Sequence, residues 1–291
     1  MSQAVTVEAA AVPLDPQNPT AAAIGGFSYA GGLVLSSRQT DLLHGLSDIE
    51  ITGQDKLMAV GDMGIFFEAR LRFDAAHHLV GLADTRITPM MGEDGLRLIN
   101  KEVADAEGLA LLANGDRLVS FERRKRILRF PADGSLPQPV PAPGDSLAAN
   151  AGIEALSLAP ESGSDAYLVG AEGSGETWIC RLSASCSKES LVAKAPEYGL
   201  VSAKRLPGNL TGYLLRTYDP LTGTNHILLQ IFKGEAKIDQ LALGPPYTVD
   251  NFEGLAAVAQ PDGSLRFYLI SDDNKHDTQR TLLLAFDWKA P

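Results

Sequence analysis

The chain has 291 residues, 45% of them hydrophobic and 21% charged, with 25 Lys+Arg against 36 Asp+Glu for a formal net charge of −11. That apolar share can fill a core and offset chain entropy, which excludes a mainly disordered protein, and no apolar run reaches the ~18 residues of a membrane-spanning helix. A nonspecific nucleic-acid binder needs the opposite charge to neutralise phosphates, so that class is excluded too.

The first 20 residues, MSQAVTVEAAAVPLDPQNPT, lack a basic n-region and a continuous apolar h-region and do not read as a signal peptide. Beyond them, short apolar or alternating runs follow one another, each ended by Gly, Pro, Asn or Asp. They include LMAV (57–60), LALL (109–112), RLVSF (117–121), RILRF (126–130), AYLVG (166–170), WICRL (178–182), YLLRTY (213–218), HILLQIF (226–232), LRFYLIS (265–271) and TLLLAF (281–286). Many short strands at even spacing indicate an all-β sandwich, barrel or propeller. Only residues 99–106 offer room for a helical turn.

An internal repeat narrows the choice. The segments LSDIEITGQDKLMAVGD, AEGLALLANGDRLVSFE, IEALSLAPESGSDAYLVGAE, VSAKRLPGNLTGYLLRTYD and FEGLAAVAQPDGSLRFYLISDD share one plan: a small or acidic residue, apolar residues, a turn, then an apolar strand ending in acid. Their first column is Ser47, Glu107, Glu154, Ser202 and Glu253, at spacings of 60, 47, 48 and 51. A period of that length with several strands per unit is that of a β-propeller blade. Dividing length by period gives about six units, five of them visible, so the expectation is an all-β, single-domain propeller of five to six blades, six favoured. Residues 1–23 are then an N-terminal extension and 24–291 the propeller, with 24–35 and the final strand sharing one blade. Two stretches break the repeat: residues 84–104 extend the first interval, and the Pro-rich 131–149 reads as a surface excursion.

The innermost strands of a propeller line its channel, so Glu107, Glu154 and Glu253 are expected to converge near one mouth. Carboxylates at short range raise one another's pKa or demand a cation. Asp250, Asn251, Asp272, Asp273, Asn274 and Asp277 add hard oxygen ligands of the kind calcium prefers. The alternative is architectural: acids at blade turns accept backbone N–H bonds and hold neighbouring blades together. The run FERRKRILRF concentrates Arg123, Arg124, Lys125, Arg126 and Arg129, suited either to clamping a phosphate or carboxylate or to a solvated turn. GDSL (144–147) with DNKH (273–276) imitates esterase blocks, but GDSL lies in a Pro-rich loop with no helix behind it, and GFSYA (26–30) only approximates a nucleophile elbow. His44, His77, His78, His226 and His276 show no metal spacing. Cys180 and Cys186 flank a turn and are either a small disulfide or two reduced thiols.

The blocks GLSDIEI…AVGDMG (45–64), DAEGLA…GDRLVSFERRKRILRF (105–130), GIEAL (152–156) and DNFEGLAAV…FYLISDDN…QRTLLLAF (250–286) resemble the phytase-like domain family, labelled "esterase-like activity of phytase". The resemblance implies a β-propeller exported to the periplasm or cell exterior, and hydrolysis of phosphate or carboxylic esters. Matching positions are Ser47, Asp62, Glu107, Glu122, Arg123, Arg126, Glu154, Glu172, Glu253, Asp272, Asp273 and Asn274. The fourth repeat departs from the family pattern, with Ser202 and Arg216 where an Asp and a Glu-Arg pair are usual, which removes a carboxylate from the ring. The resulting expectation is calcium held by Glu107, Glu154, Glu253, Asp272 and Asp273, with Glu253, Arg126 and Arg123 catalytic and Arg123, Arg124 and Arg126 binding substrate. The expected partner is a small anionic or ester ligand, with no nucleic acid and no membrane span, bound by a monomer. The alternative is a noncatalytic binding propeller whose acids are structural.

Overall fold

The computed structural model describes residues 2–144 and 152–291, so GDSL after Gly144 lies outside the described residues. Four strands, β1 (Gln3–Ala4), β2 (Glu8–Ala11), β3 (Ala23–Ile24) and β4 (Phe27–Ser36), precede the first complete four-strand run, β5 (Leu46–Thr52), β6 (Lys56–Gly61), β7 (Ile65–Phe73) and β8 (Leu79–Pro89). A single helical turn, α1 (Lys101–Ala104), leads into β9 (Ala106–Leu111), β10 (Arg117–Phe121), β11 (Arg126–Phe130) and β12 (Gln138–Val140). Then follow β13 (Ile153–Leu158), β14 (Ala166–Ala171), β15 (Glu176–Arg181) and β16 (Ala184–Leu191), and β17 (Gly199–Leu206), β18 (Leu210–Asp219), β19 (Thr224–Lys233) and β20 (Ala236–Leu243). The last three are β21 (Phe252–Ala259), β22 (Leu265–Ser271) and β23 (Thr281–Trp288).

These strands form five antiparallel sheets, the blades of a five-bladed propeller. In each, the first strand of the run is innermost, and β21, β5, β9, β13 and β17 pack side by side around the channel. The fifth blade closes the ring: β4, from the N-terminal part of the chain, pairs with the C-terminal β23. The shared closing blade was expected; a sixth blade was favoured, and the structure corrects that count. The first interval of 60 residues hides no blade, only the long β8, the loop after it and α1. The N-terminal extension likewise adds edge strands to existing blades, β1 against β8 and β2 against β4.

Burial explains why apolar runs sit on the middle strands. Between every two neighbouring blades lies one apolar cluster, such as Phe66, Val119, Leu128 and Phe130 between the first and second, and Leu168, Leu200, Tyr213 and Leu215 between the third and fourth. A middle strand faces a neighbour on both sides, so β14 and β22 are buried along their whole length. That is why they read as continuous apolar runs instead of alternating ones. The innermost strands approach closely. A Cβ on Gly108 would lie 2.7 Å from Glu154 O, and one on Gly254 2.7 Å from Asp48 Cα, so glycine follows glutamate at both places.

Candidate functional site

Each innermost strand carries a β-bulge near its start, in four blades with the extra residue between two paired ones. Ser47 falls between paired Leu46 and Asp48, Glu154 between Ile153 and Ala155, Val201 between Leu200 and Ser202, and Glu253 between Phe252 and Gly254. In the second blade the irregularity lies between Ala106 and Leu109, where Glu107 and Gly108 intervene. Bulges re-aim side chains, and here they bring Glu107, Glu154 and Glu253 within electrostatic reach of one another, as expected. The fourth member is offset by one. Val201, not Ser202, occupies the bulge and is buried against the fifth blade, whereas Ser202 points into the channel and bonds to Asp48.

A second ring surrounds the first. Asp62, Glu122, Glu172 and Asp272 follow directly on the second strands of their blades. Each donates its backbone N–H to the turn before the innermost strand: to Gly45 O (2.9 Å), Asp105 O (3.0 Å), Gly152 O (3.2 Å) and Asn251 O (3.0 Å). This repeated bond sets the exit residues of four blades at the same height. In the fourth blade the equivalent residue is Arg216, which faces Gly199 across the β17–β18 ladder. Its guanidinium lies 3.3 Å from Glu253, 3.6 Å from Glu172, and donates to Asn251 Oδ1. Where the repeat loses an acid, it supplies a cation to the ring.

Asp105, one residue ahead of β9, the innermost strand of the second blade, adds the remaining carboxylate. Oxygen atoms of Asp105, Glu107 and Glu122 lie within 4.8 Å of one another. Asp105 Oδ2 takes a bond from Arg123 Nε at 2.9 Å. Its Oδ1 is buried without a hydrogen-bond donor, facing Lys101 Nζ at 3.5 Å. Lys101 also pairs with Asp62 at 3.1 Å. The mouth therefore sets Asp62, Asp105, Glu107, Glu122, Glu154, Glu172, Glu253 and Asp272 against Lys101, Arg123 and Arg216.

Repulsion in a desolvated place shows in the acidities. Burial, then the charges of Glu253, Asp105 and Glu122, push Glu107 well above the ordinary glutamate range. Burial and Glu172 do the same to Glu154, against a weaker pull from Arg216. Burial raises Glu253 despite Arg216 and Asn251, and burial with Glu253 pushes Asp272 up to about 8. Carboxylates so placed keep protons or accept a cation. An all-oxygen donor set with an orphaned oxygen fits a hard divalent ion such as calcium.

The other expected residues lie elsewhere or are occupied. Asp273 accepts from His44 Nδ1 (2.7 Å), Gly45 N (3.1 Å), Lys275 N (3.0 Å) and Thr281 Oγ1 (2.9 Å). Burial would raise its carboxyl, but these donors outweigh burial and hold it below the ordinary range. Asp273 clamps the fifth blade to the first and has little capacity left for a ligand. Arg126 stacks over Phe121 with 4.6 Å to the ring centroid and donates to Val103 O at 2.9 Å. With Arg124 it lines a groove outside the ring. From the basic run Arg123 reaches the acidic set, as partner to Asp105.

Beside Arg216 the mouth opens into a cavity of about 620 Å³ between the fourth and fifth blades, whose lining includes Tyr218, Asn225, Asn251, His276 and Arg280. Below the mouth, the channel is filled. Asp48 accepts from Ser202 Oγ (3.2 Å), Leu255 N (3.2 Å), Leu109 N (2.9 Å) and Lys204 Nζ (3.0 Å). Lys204 also reaches Glu50 (3.0 Å), Leu109 O (3.0 Å) and Leu156 O (3.2 Å). Burial opposes its charge, yet Asp48 and Glu50 more than restore it and raise its pKa. Access to the acids is thus from one side.

The family model described as "Esterase-like activity of phytase" (Phytase-like) matches residues 41–197, the first three blades. No curated protein matches the chain in sequence. A solved structure provisionally assigned as a gluconolactonase superposes with a TM-score of 0.51 at 12% identity, covering 90% of this chain and 82% of that one. A catalytically inactive virginiamycin B lyase from Staphylococcus aureus with quinupristin gives 0.48 at 8% identity, covering 98% and 100%. A streptogramin B lyase gives 0.41 at 13%, covering 85% and 95%. At such identities the gluconolactonase-assigned structure supports the propeller fold alone, and the two lyases, below 0.5, carry no argument.

Proposed function

Because the chain belongs to the Phytase-like family, we propose that it hydrolyses phosphate or carboxylic esters at the acidic mouth, with a divalent cation such as calcium as cofactor. The observation that carries this reading is the Asp105, Glu107 and Glu122 set, three carboxylates within 4.8 Å and one buried oxygen without a donor. Those three residues would hold the ion, with Glu154, Glu253 and Asp272 around it. A divalent ion there supplies polarisation of the ester oxygen or a lowered pKa for bound water. Arg123 and Lys101 position Asp105, and Arg216 fixes Glu253 at the entrance to the 620 Å³ cavity, where the substrate would lie. Relative to the expectation from sequence, Asp105 and Glu122 replace Asp273 among the ligands, and Arg216 replaces Arg126 at the reacting end.

Cys180 and Cys186 form a disulfide, which supports an oxidising compartment and hence a periplasmic or secreted protein. No helix of the described residues is long and apolar enough to cross a membrane. The test is turnover on a panel of nitrophenyl phosphate and carboxylic esters, with calcium and with chelator. Calcium-dependent hydrolysis that Glu107→Gln abolishes supports the reading. A second reading, a noncatalytic binding propeller, draws on the three cations already neutralising part of the ring. A panel without turnover, in protein that still binds calcium, would establish it.

A further inference from the structure

Two features that neither the repeat nor the mouth absorbs meet at one place. The insertion over residues 84–104 and the basic hairpin at 123–126 contribute the lining of a groove of about 720 Å³, outside the acidic ring and behind α1. Its apolar lining is Leu96, Leu98, Ile99 and Val103. Leu96 and Ile99 are 68% and 72% exposed, and Met91 and Leu136 (40% and 50%) extend the patch, Leu136 lying against Gly95. These are four of the eight exposed large hydrophobic side chains among the described residues, which makes this a concentrated apolar face and not scattered exposure.

The polar lining is cationic in balance. Arg97, Arg124 and Arg126 face it together with Glu93 and Asp94. Asp94 is engaged in its own turn, accepting from Leu96 N at 2.9 Å. Arg97 and Arg124 make no side-chain hydrogen bond or ion pair among the described residues, and Arg126 Nε is buried without an acceptor. On a chain of net charge −11, the guanidinium groups of Arg97 and Arg124, without side-chain partners among the described residues, beside uncovered leucine and isoleucine call for an anionic head joined to an apolar body.

We propose that this groove binds a single anionic amphiphile, a carboxylate or phosphate head on an alkyl tail, with the head at Arg97, Arg124 and Arg126 and the tail along Leu96, Leu98 and Ile99. The volume lies within the range of small-ligand sites, roughly 300–1,000 Å³. The net charge of −11 repels an anionic bilayer as a whole, which favours a dispersed molecule over a lipid surface.

Calorimetric titration with laurate, below its micelle concentration, tests this. Saturable binding is expected, weakening by about fourfold to fifteenfold for decanoate, since each buried methylene contributes about fourfold. Decyltrimethylammonium should not bind. Arg124→Glu and Ile99→Asp, both at exposed positions, should each weaken laurate at least tenfold with the unfolding midpoint unchanged. The proposal is overturned if laurate does not bind, if both variants bind it as well as the parent, if the cationic amphiphile binds equally, or if only phosphatidylglycerol vesicles are bound.

Discussion

Replacing Lys204 with methionine removes the ammonium that ties innermost strands of four blades together across the channel. The stem is retained and the charge is lost, so Asp48, fully buried, keeps its carboxylate without a counter-charge, and the carbonyls of Leu109 and Leu156 lose a donor. Breaking a buried pair from one side costs about 3–5 kcal/mol, because the remaining charge is uncompensated. With an unfolding entropy near 2.1 cal/mol/K per residue, a chain of this length should lose about 5–8 °C in midpoint. Differential scanning calorimetry with urea titration reads both quantities. The double variant Lys204→Met with Asp48→Asn removes both charges and should recover more than half of the loss. A loss below about 1 kcal/mol for the single variant, or a double variant no better than the single, would refute the claim that this contact is the charged bolt of the channel.

The raised acidities at the mouth make the chelated protein pH-sensitive. Asp272, held at about 8 when folded and near 4 when unfolded, favours the folded state at low pH, and that contribution is lost as pH rises toward 8. Chelated protein should lose midpoint between pH 5 and pH 8, and Asp272→Asn should lose less; equal slopes in the two would contradict the assignment. Arg216→Leu leaves Glu253 and Glu172 without their cation and should lower the midpoint by several degrees in chelator, with millimolar calcium restoring part of it; an unchanged midpoint would show that the ring does not need it. Replacing Cys180 and Cys186 by alanine opens a short loop and should cost about 2 kcal/mol by chain entropy, read by urea denaturation; no change would show the bond to be stabilising nothing.

The propeller was legible because each blade repeats one physical demand, a middle strand buried on both faces, with an acid at its exit in four of the five. The blade number was less so, because the extension with β1 to β3 and the insertion before α1 lengthen the chain without adding a sheet. Two acidic columns were visible, but the register between them was not. Val201 and Ser202 differ by one place, and only the bulge decides that Ser202 points into the channel while Val201 packs against the fifth blade. Asp105 was missed although DAEGL contains it, because it stands one residue ahead of the strand and reaches the ring through the turn. Lys204 looked like any strand lysine. Its burial depends on Asp48 and Glu50 from another blade, 156 and 154 residues away, which no local pattern encodes. The basic run showed its charge plainly but not its direction, and the structure turns Arg124 and Arg126 toward the outer groove while Arg123 pairs with Asp105.

The central claim is that the acidic mouth is a cation site. Calorimetric titration of chelator-treated protein with calcium, run at pH 7 in two buffers of different ionisation enthalpy, tests it directly. The account predicts one saturable site, release of protons from the raised carboxyls on binding, and loss of the site in Glu107→Gln with the fold intact. No calcium uptake up to millimolar concentration, or uptake that Glu107→Gln leaves unchanged, would contradict it.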